Sequence, residues 1–105
     1  MAITNVQIAS TQTTQLFLAS GEQAVTTIFF CNTAAASDAA FDLYIVPAGH
    51  VATTSTQVLK SLSLPAKETF VFDAEKIILG NGDGIFAQAD TNLVITATVS
   101  SVAVG

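Results

Sequence analysis

The sequence predicts an all-β protein, a single antiparallel β-sandwich of about eight or nine short strands with no significant helix. β-Branched and aromatic residues dominate the apolar positions, and clusters of turn-forming residues recur about every 8–12 residues, which is typical of sandwiches. No segment shows the helical period of about 3.6 residues. A chain of 105 residues can bury one core but is short for two, so a single domain over residues 1–105 is predicted.

Alternation of side chains locates the strands. The clearest strand is residues 39–46, where Phe41, Leu43 and Ile45 share one face. Residues 24–31 are apolar on both faces, which is typical of a central strand covered on both sides, and another subunit is a candidate for one cover. Strand length and flanking turns predict the remaining strands at residues 6–8, 14–18, 57–64, 69–72, 76–79, 85–89 and 93–99.

The strongest turn signal is Asn81-Gly82-Asp83-Gly84. Asn-Gly and Asp-Gly pairs tolerate the positive φ angles of tight hairpin turns. This segment therefore predicts a hairpin that joins residues 76–80 to residues 85–89.

The C-terminal segment changes its alternation. Its apolar residues keep one face as far as Val99, and after Ser100 and Ser101 the apolar Val102 and Val104 continue on the opposite parity. One interpretation is a β-bulge, which reverses the parity of every residue after it. The other is that this tail, or the N-terminal segment 3–8, adds to the sheet of a neighbouring subunit.

The composition favours a protein that packs against neighbours. Half of the residues are hydrophobic and 10% are charged, against about a quarter in ordinary soluble domains. No apolar run reaches the ~20 residues of a membrane-spanning helix, so no membrane association is expected. A homo-oligomer is predicted instead, with Val25, Phe29, Val102 and Val104 as candidate interface residues.

The charge balance excludes another class of partner. Eight acidic residues oppose three basic ones, a formal net charge of −5, which argues against binding to a nucleic-acid backbone. The single cysteine, Cys31, excludes an intrachain disulfide and is expected to be a small core residue. The N-terminal residues lack the features of a secretory signal, so synthesis in the cytosol is expected.

No catalytic constellation is recognisable, and neither an enzyme activity nor a cofactor is predicted. His50 lies in a turn without the further ligands of a zinc site, and no serine stands in a nucleophile elbow. Asp73, Glu75 and Asp83 leave calcium binding open, although their spacing is not an EF-hand and the simpler interpretation is a hydrogen-bonded turn. No metal-ligand set is therefore assigned.

Five segments carry a recognisable pattern: TTIFFCN (26–32), LYIVPAG (43–49), DAEKIIL (73–79), the Gly-Asp pair at 82–83, and VITATVS (94–100). Together, over about three-quarters of the chain, they resemble small virion proteins of tailed bacteriophages. The resemblance implies an immunoglobulin-like or jelly-roll-like sandwich located in the virion, with no catalytic residues. It also implies the major capsid or tail proteins of the same particle as partners.

Within that resemblance, the most concrete expectation is a capsid decoration protein that stabilises the shell through contacts between subunits. The alternatives are a neck- or tail-associated protein, or a carbohydrate- or receptor-binding module at a tail tip. For the last of these, Tyr44, Phe29 and Phe17 are candidate groove residues, although aromatic residues on strands more often belong to the core or to cross-strand pairs.

Overall fold

A computed structural model of the protein describes residues 2–10, 12–72, 77–91 and 94–103. These residues form nine strands in two antiparallel sheets, which confirms the predicted all-β sandwich. No helix that could cross a membrane occurs in this part of the chain. The strands are β1 (Ala2–Gln7), β2 (Thr14–Leu18), β3 (Gln23–Asn32), β4 (Ala39–Val46), β5 (Gln57–Leu64), β6 (Thr69–Phe72), β7 (Ile77–Leu79), β8 (Gly84–Ala89) and β9 (Ile95–Ala103).

The two sheets have different strand orders. The five-stranded sheet has the order β1-β9-β3-β6, and β7 also pairs with β3. Since β6 pairs with the C-terminal part of β3 and β7 with its N-terminal part, these two short strands together form one edge of this sheet. The four-stranded sheet has the order β2-β8-β4-β5.

The core lies between the sheets and is built from alternate side chains of both. Its centre is aromatic, because Phe30 of β3 and Phe41 of β4 stack with ring centroids 4.3 Å apart. Phe70 of β6 packs against both rings, with its ring centroid 6.4 Å from that of Phe30 and 6.3 Å from that of Phe41. A stacked aromatic pair contributes about 0.5–1.5 kcal/mol beyond the burial of its surface, so these residues help to fix the two sheets together.

A bulge in β3 changes the predicted position of Val25. The pairing of β3 with β9 shifts between Val25 and Thr27, so Val25 joins Ile28 and Phe30 on the core face. Val25 is 0% exposed, which leaves it unavailable to a neighbouring subunit in this fold. Apolar residues therefore occupy both odd and even positions of residues 24–31 for two reasons: the bulge shifts the alternation, and the outer face of the strand is itself partly apolar.

The predicted hairpin between residues 76–80 and 85–89 is wrong. β7 pairs with β3, whereas β8 pairs with β2 and β4, so the Asn-Gly-Asp-Gly segment crosses from one sheet to the other. The turn itself is tight, with Gly82 at φ 89° and an Asp83 N–H donating to Gly80 O at 3.1 Å. Turn chemistry predicts the reversal of the chain, but it does not determine which strands pair after it.

The C-terminal strand stays in its own sandwich over the described residues. β9 keeps a constant parity to Ala103, because Ser101 takes the core position and is 1% exposed. The bulge lies in the partner strand β3 and not in β9. β1 pairs with β9 of the same chain, from Ala2 opposite Ser101 to Gln7 opposite Thr96. Val104 lies outside the described residues.

Candidate functional site

The outer face of the five-stranded sheet is the most distinctive surface of the described chain. We use the name outer face for the residues of this sheet whose side chains point away from the core. None of them carries a charge. They are Ile3, Asn5 and Gln7 of β1; Ala24, Thr27, Phe29 and Cys31 of β3; Thr69 and Val71 of β6; Ile78 of β7; and Thr96, Thr98, Ser100 and Val102 of β9.

Large apolar side chains are concentrated on the outer face. It carries five of the eight exposed large hydrophobic residues in the described chain: Ile3 at 66%, Ile78 at 58%, Val71 at 47%, Phe29 at 40% and Val102 at 38% exposure. The strand register places Phe29 between Val71 and a threonine of β9, near the middle of the sheet. An uncharged sheet face with this apolar content is typical of a protein-protein contact.

Polar groups on the outer face partly satisfy one another. The Thr98 hydroxyl donates to Oδ1 of Asn5 at 2.7 Å, across the pairing of β1 with β9. The hydroxyl of Thr26, at the β3 bulge, donates to Ser100 O at 3.3 Å. Because these groups already have partners within the sheet, covering the face costs less than covering unpaired polar groups would.

The predicted interface residues separate into three groups. Phe29 and Val102 lie on the outer face, Val25 is in the core, and Val104 is outside the described residues. Cys31, expected in the core, is half-buried on the outer face because its parity is opposite to that of Phe30. Sequence reasoning missed Ile3, Val71 and Ile78. The uncharged run of residues 2–21 could have indicated Ile3, whereas β6 and β7 are too short to give a clear alternation.

The four-stranded sheet carries a polar groove of about 330 Å³ on its outer side. Asp42 accepts a hydrogen bond from the Ser61 N–H at 2.6 Å, and Asp90 accepts one from the Ala40 N–H at 3.0 Å. The Gln88 side chain donates to a backbone carbonyl at 2.8 Å. Each of these polar side chains therefore fixes nearby backbone and also lines the groove.

The groove offers no accessible aromatic platform among the residues that line it. Phe41 is its single lining aromatic residue in the described chain, and the ring is buried in the core. Tyr44 lies two residues from Asp42 on β4 and is also buried; burial and the Asp42 carboxylate both raise the pKa of its hydroxyl. Phe17 belongs to the core, which removes it as a groove residue.

The remaining candidates for chemistry lie apart from these surfaces. His50 is exposed in the loop after β4, with Nδ1 3.2 Å from Ala48 O. Both Asp83 carboxylate oxygens accept backbone N–H groups, from Ala48 at 2.8 Å and from Gly80 at 2.9 Å. Asp73 and Glu75 lie outside the described residues.

No group of three or more His, Cys, Asp or Glu side chains that could hold a metal ion occurs among the residues that the structure describes. Comparisons with protein families, with curated proteins and with solved structures found no match to this chain.

Proposed function

We propose that this chain is a non-enzymatic structural subunit of a phage particle, a capsid decoration protein that attaches through the outer face of its five-stranded sheet. The observation that carries the proposal is the uncharged outer face with its five exposed apolar side chains. The resemblance to virion proteins of tailed phages is the reason for proposing a phage particle. Within that resemblance, capsid decoration is the most concrete expectation.

The distribution of charge supports this use of the outer face. The described acidic residues are placed in loops and turns or on the four-stranded sheet, and they are Glu22, Asp38, Asp42, Glu68, Asp83 and Asp90. A subunit that lies on a shell through its neutral face keeps these carboxylates in water, where they cost little. Attachment through the acidic surfaces would instead require cationic partners or the desolvation of charges.

The size of the outer face sets the strength of the contact. Four strands about 4.8 Å apart, each about eight residues long at about 3.3 Å per residue, give an area of roughly 500 Å². Standard stable interfaces bury about 800 Å² on each partner. One copy is therefore expected to bind weakly. Many copies together stabilise a shell by mass action, because they bind the assembled lattice and not its dissociated subunits.

The test compares two variants that introduce the same charge at different places. Empty capsids assembled from the major capsid protein of the same virus are mixed with wild-type protein, Val71→Lys or Val51→Lys. Val71 is on the outer face, whereas Val51 is 70% exposed in the loop after β4. Wild type and Val51→Lys should co-sediment with capsids and raise their disruption temperature, and Val71→Lys should do neither.

Two results would count against the proposal. Failure of the wild type to bind either empty capsids or isolated tails would remove the structural role. Equal binding by both lysine variants would show that the outer face is not the attachment surface. Circular dichroism of each variant before mixing establishes that loss of binding is not loss of folding.

A carbohydrate- or receptor-binding role at a tail tip is the second candidate, and the groove on the four-stranded sheet favours it. Asp42, Gln88 and Asp90 are acceptors and donors of the kind that bind sugar hydroxyls. A glycan array probed with wild type, Gln88→Ala and Val71→Lys separates the two candidates. Glycan binding that Gln88→Ala abolishes and Val71→Lys leaves unchanged would place recognition in the groove.

A further inference from the structure

Three of the four sheet edges in the described chain have features that discourage pairing with another strand. Such protection is usual, because an open edge offers unpaired backbone groups to any other strand. The pairing of β2 with β8 shifts between Gln15 and Phe17. β5 contains an irregularity at Ser61, with φ 51°, next to the charged Lys60. The opposite edge of the five-stranded sheet is divided between the short strands β6 and β7.

β1 has none of these features. It makes six consecutive pairs with β9 without a register shift. Its sequence, AITNVQ, contains no charge, proline or glycine. A regular, uncharged strand at the edge of a sheet is the kind of strand that accepts a further one.

The contact between Ile8 and Ile95 identifies which backbone groups of β1 point away from β9. The Ile8 N–H donates to Ile95 O at 2.9 Å, in the same register as the strand before it. Because hydrogen-bonded and non-hydrogen-bonded pairs alternate in an antiparallel ladder, the N–H and C=O of Val6 and Thr4 also point towards β9. Those of Ile3 and Asn5 therefore point away from the sheet.

The edge formed by β1 carries no charge that would repel a second copy. Residues 2–21 contain no charged side chain, and neither does β9. β1 and β2, the two edge strands within this segment, also contact each other, so they lie on one side of the sandwich. Two copies with a net charge of −5 each can therefore pair here without bringing a charged side chain of β1 or β9 into the contact.

We propose that β1 pairs antiparallel with β1 of a second copy, which makes the two five-stranded sheets continuous. The two-fold axis passes beside Thr4, and Ile3 of each copy pairs with Asn5 of the other through four backbone hydrogen bonds. The β1–β1 dimer goes beyond the proposed function, because it can form without a capsid. Only the idea that the dimer attaches to a capsid rests on the proposed function. The dimer would place two outer faces side by side, with roughly 1,000 Å² of contact surface.

The first measurement is sedimentation velocity of the full chain from low to high micromolar concentration, together with hydrogen exchange of single amides. A dimer formed through β1 protects the Ile3 and Asn5 amides as concentration rises, since these N–H groups become bonded only in the pair. A dimer formed by stacking the outer faces leaves those two amides unchanged. A monomer at all concentrations, or a dimer without this protection, would overturn the proposal.

Two variants with matched controls locate the contact. Asn5→Pro removes the outward N–H and leaves the backbone bonds to β9 intact. Asn5→Ala keeps the N–H, and both variants lose the side-chain bond from Thr98, so that loss cancels in the comparison. Ile3→Lys places a charge on the edge strand, and Val51→Lys places the same charge in the loop between β4 and β5. The first member of each pair should weaken dimerisation at least about tenfold and its control should leave it unchanged.

Each variant has a defined contrary result. If Asn5→Pro dimerises like Asn5→Ala, strand pairing at β1 is wrong. If Asn5→Pro does not fold, Ile3→Lys and the amide protection of the wild type decide the question. The outcome is separable from the capsid test, because a monomer that binds capsids refutes only the pairing and a dimer that ignores capsids and tails refutes only the structural role.

Discussion

Replacing Asp83 by alanine should be among the most destabilising changes at a site outside the core. The Asp83 side chain connects two loops at one end of the sandwich. Oδ1 accepts the Ala48 N–H from the β4–β5 loop, and Oδ2 accepts the Gly80 N–H from its own turn. The Asp83 backbone adds a third connection, because its carbonyl accepts the Ala19 N–H at 2.9 Å. Alanine keeps this backbone bond and loses both carboxylate bonds.

The magnitude follows from the number and type of those bonds. Hydrogen bonds to a charged group contribute about 1.5–3 kcal/mol each when buried. Asp83 is only partly buried, so water replaces part of the loss and each bond is expected to contribute about 1–1.5 kcal/mol. We expect the free energy of unfolding to fall by about 2–3 kcal/mol. For a domain of this size, this corresponds to a decrease in Tm of about 10–20 °C.

Urea denaturation of wild type, Asp83→Ala and Asp38→Ala tests the estimate. Asp38 makes one long contact, with Oδ1 3.4 Å from the Ala66 N, and it is exposed, so its replacement should change stability by less than about 0.5 kcal/mol. Both variants remove one negative charge, so a general charge effect would appear equally in each. A loss at Asp83 no larger than that at Asp38 would refute the assignment of a bridging role.

Three further predictions concern buried polar groups. Asn32→Ala should lower the free energy of unfolding by about 3 kcal/mol, measured by urea denaturation, because the buried Asn32 side chain donates to two carbonyls and accepts one backbone N–H. Ser101→Ala should raise it by about 1 kcal/mol, since the buried Ser101 hydroxyl has no partner among the described residues. The pKa of Tyr44, the one tyrosine, is higher in the folded state than the value of about 10 in the unfolded state. Its contribution to the free energy of unfolding is therefore fully present below pH 10 and is lost as the pH rises through the folded-state pKa. Ultraviolet titration should show this raised midpoint, and Asp42→Asn should lower it by removing the second cause.

Alternation located most strands but did not determine their pairing. It was wrong on the bounds of the first strand, predicted at residues 6–8 and observed at Ala2–Gln7, and of the last, predicted at 93–99 and observed at Ile95–Ala103. The strand at residues 39–46 was predicted with its correct bounds because its apolar residues alternate cleanly. The pattern of residues 24–31 was ambiguous, because a bulge and burial on both faces give the same sequence of apolar residues. Only the register against β9 distinguishes them, and it places the bulge between Val25 and Thr27.

The C-terminal parity change had a different origin. Ser101 is polar and small, so its sequence position gave no signal that it occupies the core. In the sequence, a serine at a core position looks like the end of the apolar face. In the structure, the strand continues and alternate side chains still point to the core. The interface prediction was correspondingly mixed: it found the exposed positions Phe29 and Val102 and missed the apolar residues of the short strands β6 and β7, whose few residues give little periodicity.

The placement of charge is difficult to explain by folding alone. Ile3 and the other exposed positions of β1 would tolerate lysine at little cost, and lysine on an edge strand is a common protection against unwanted pairing. The chain instead keeps residues 2–21 free of charge and pairs β1 with β9, which is also uncharged. The two uncharged strands thereby lie side by side at one edge of the sheet. A requirement for contact with another chain accounts for this arrangement, since a solitary domain with so few charges gains solubility from every charge it exposes.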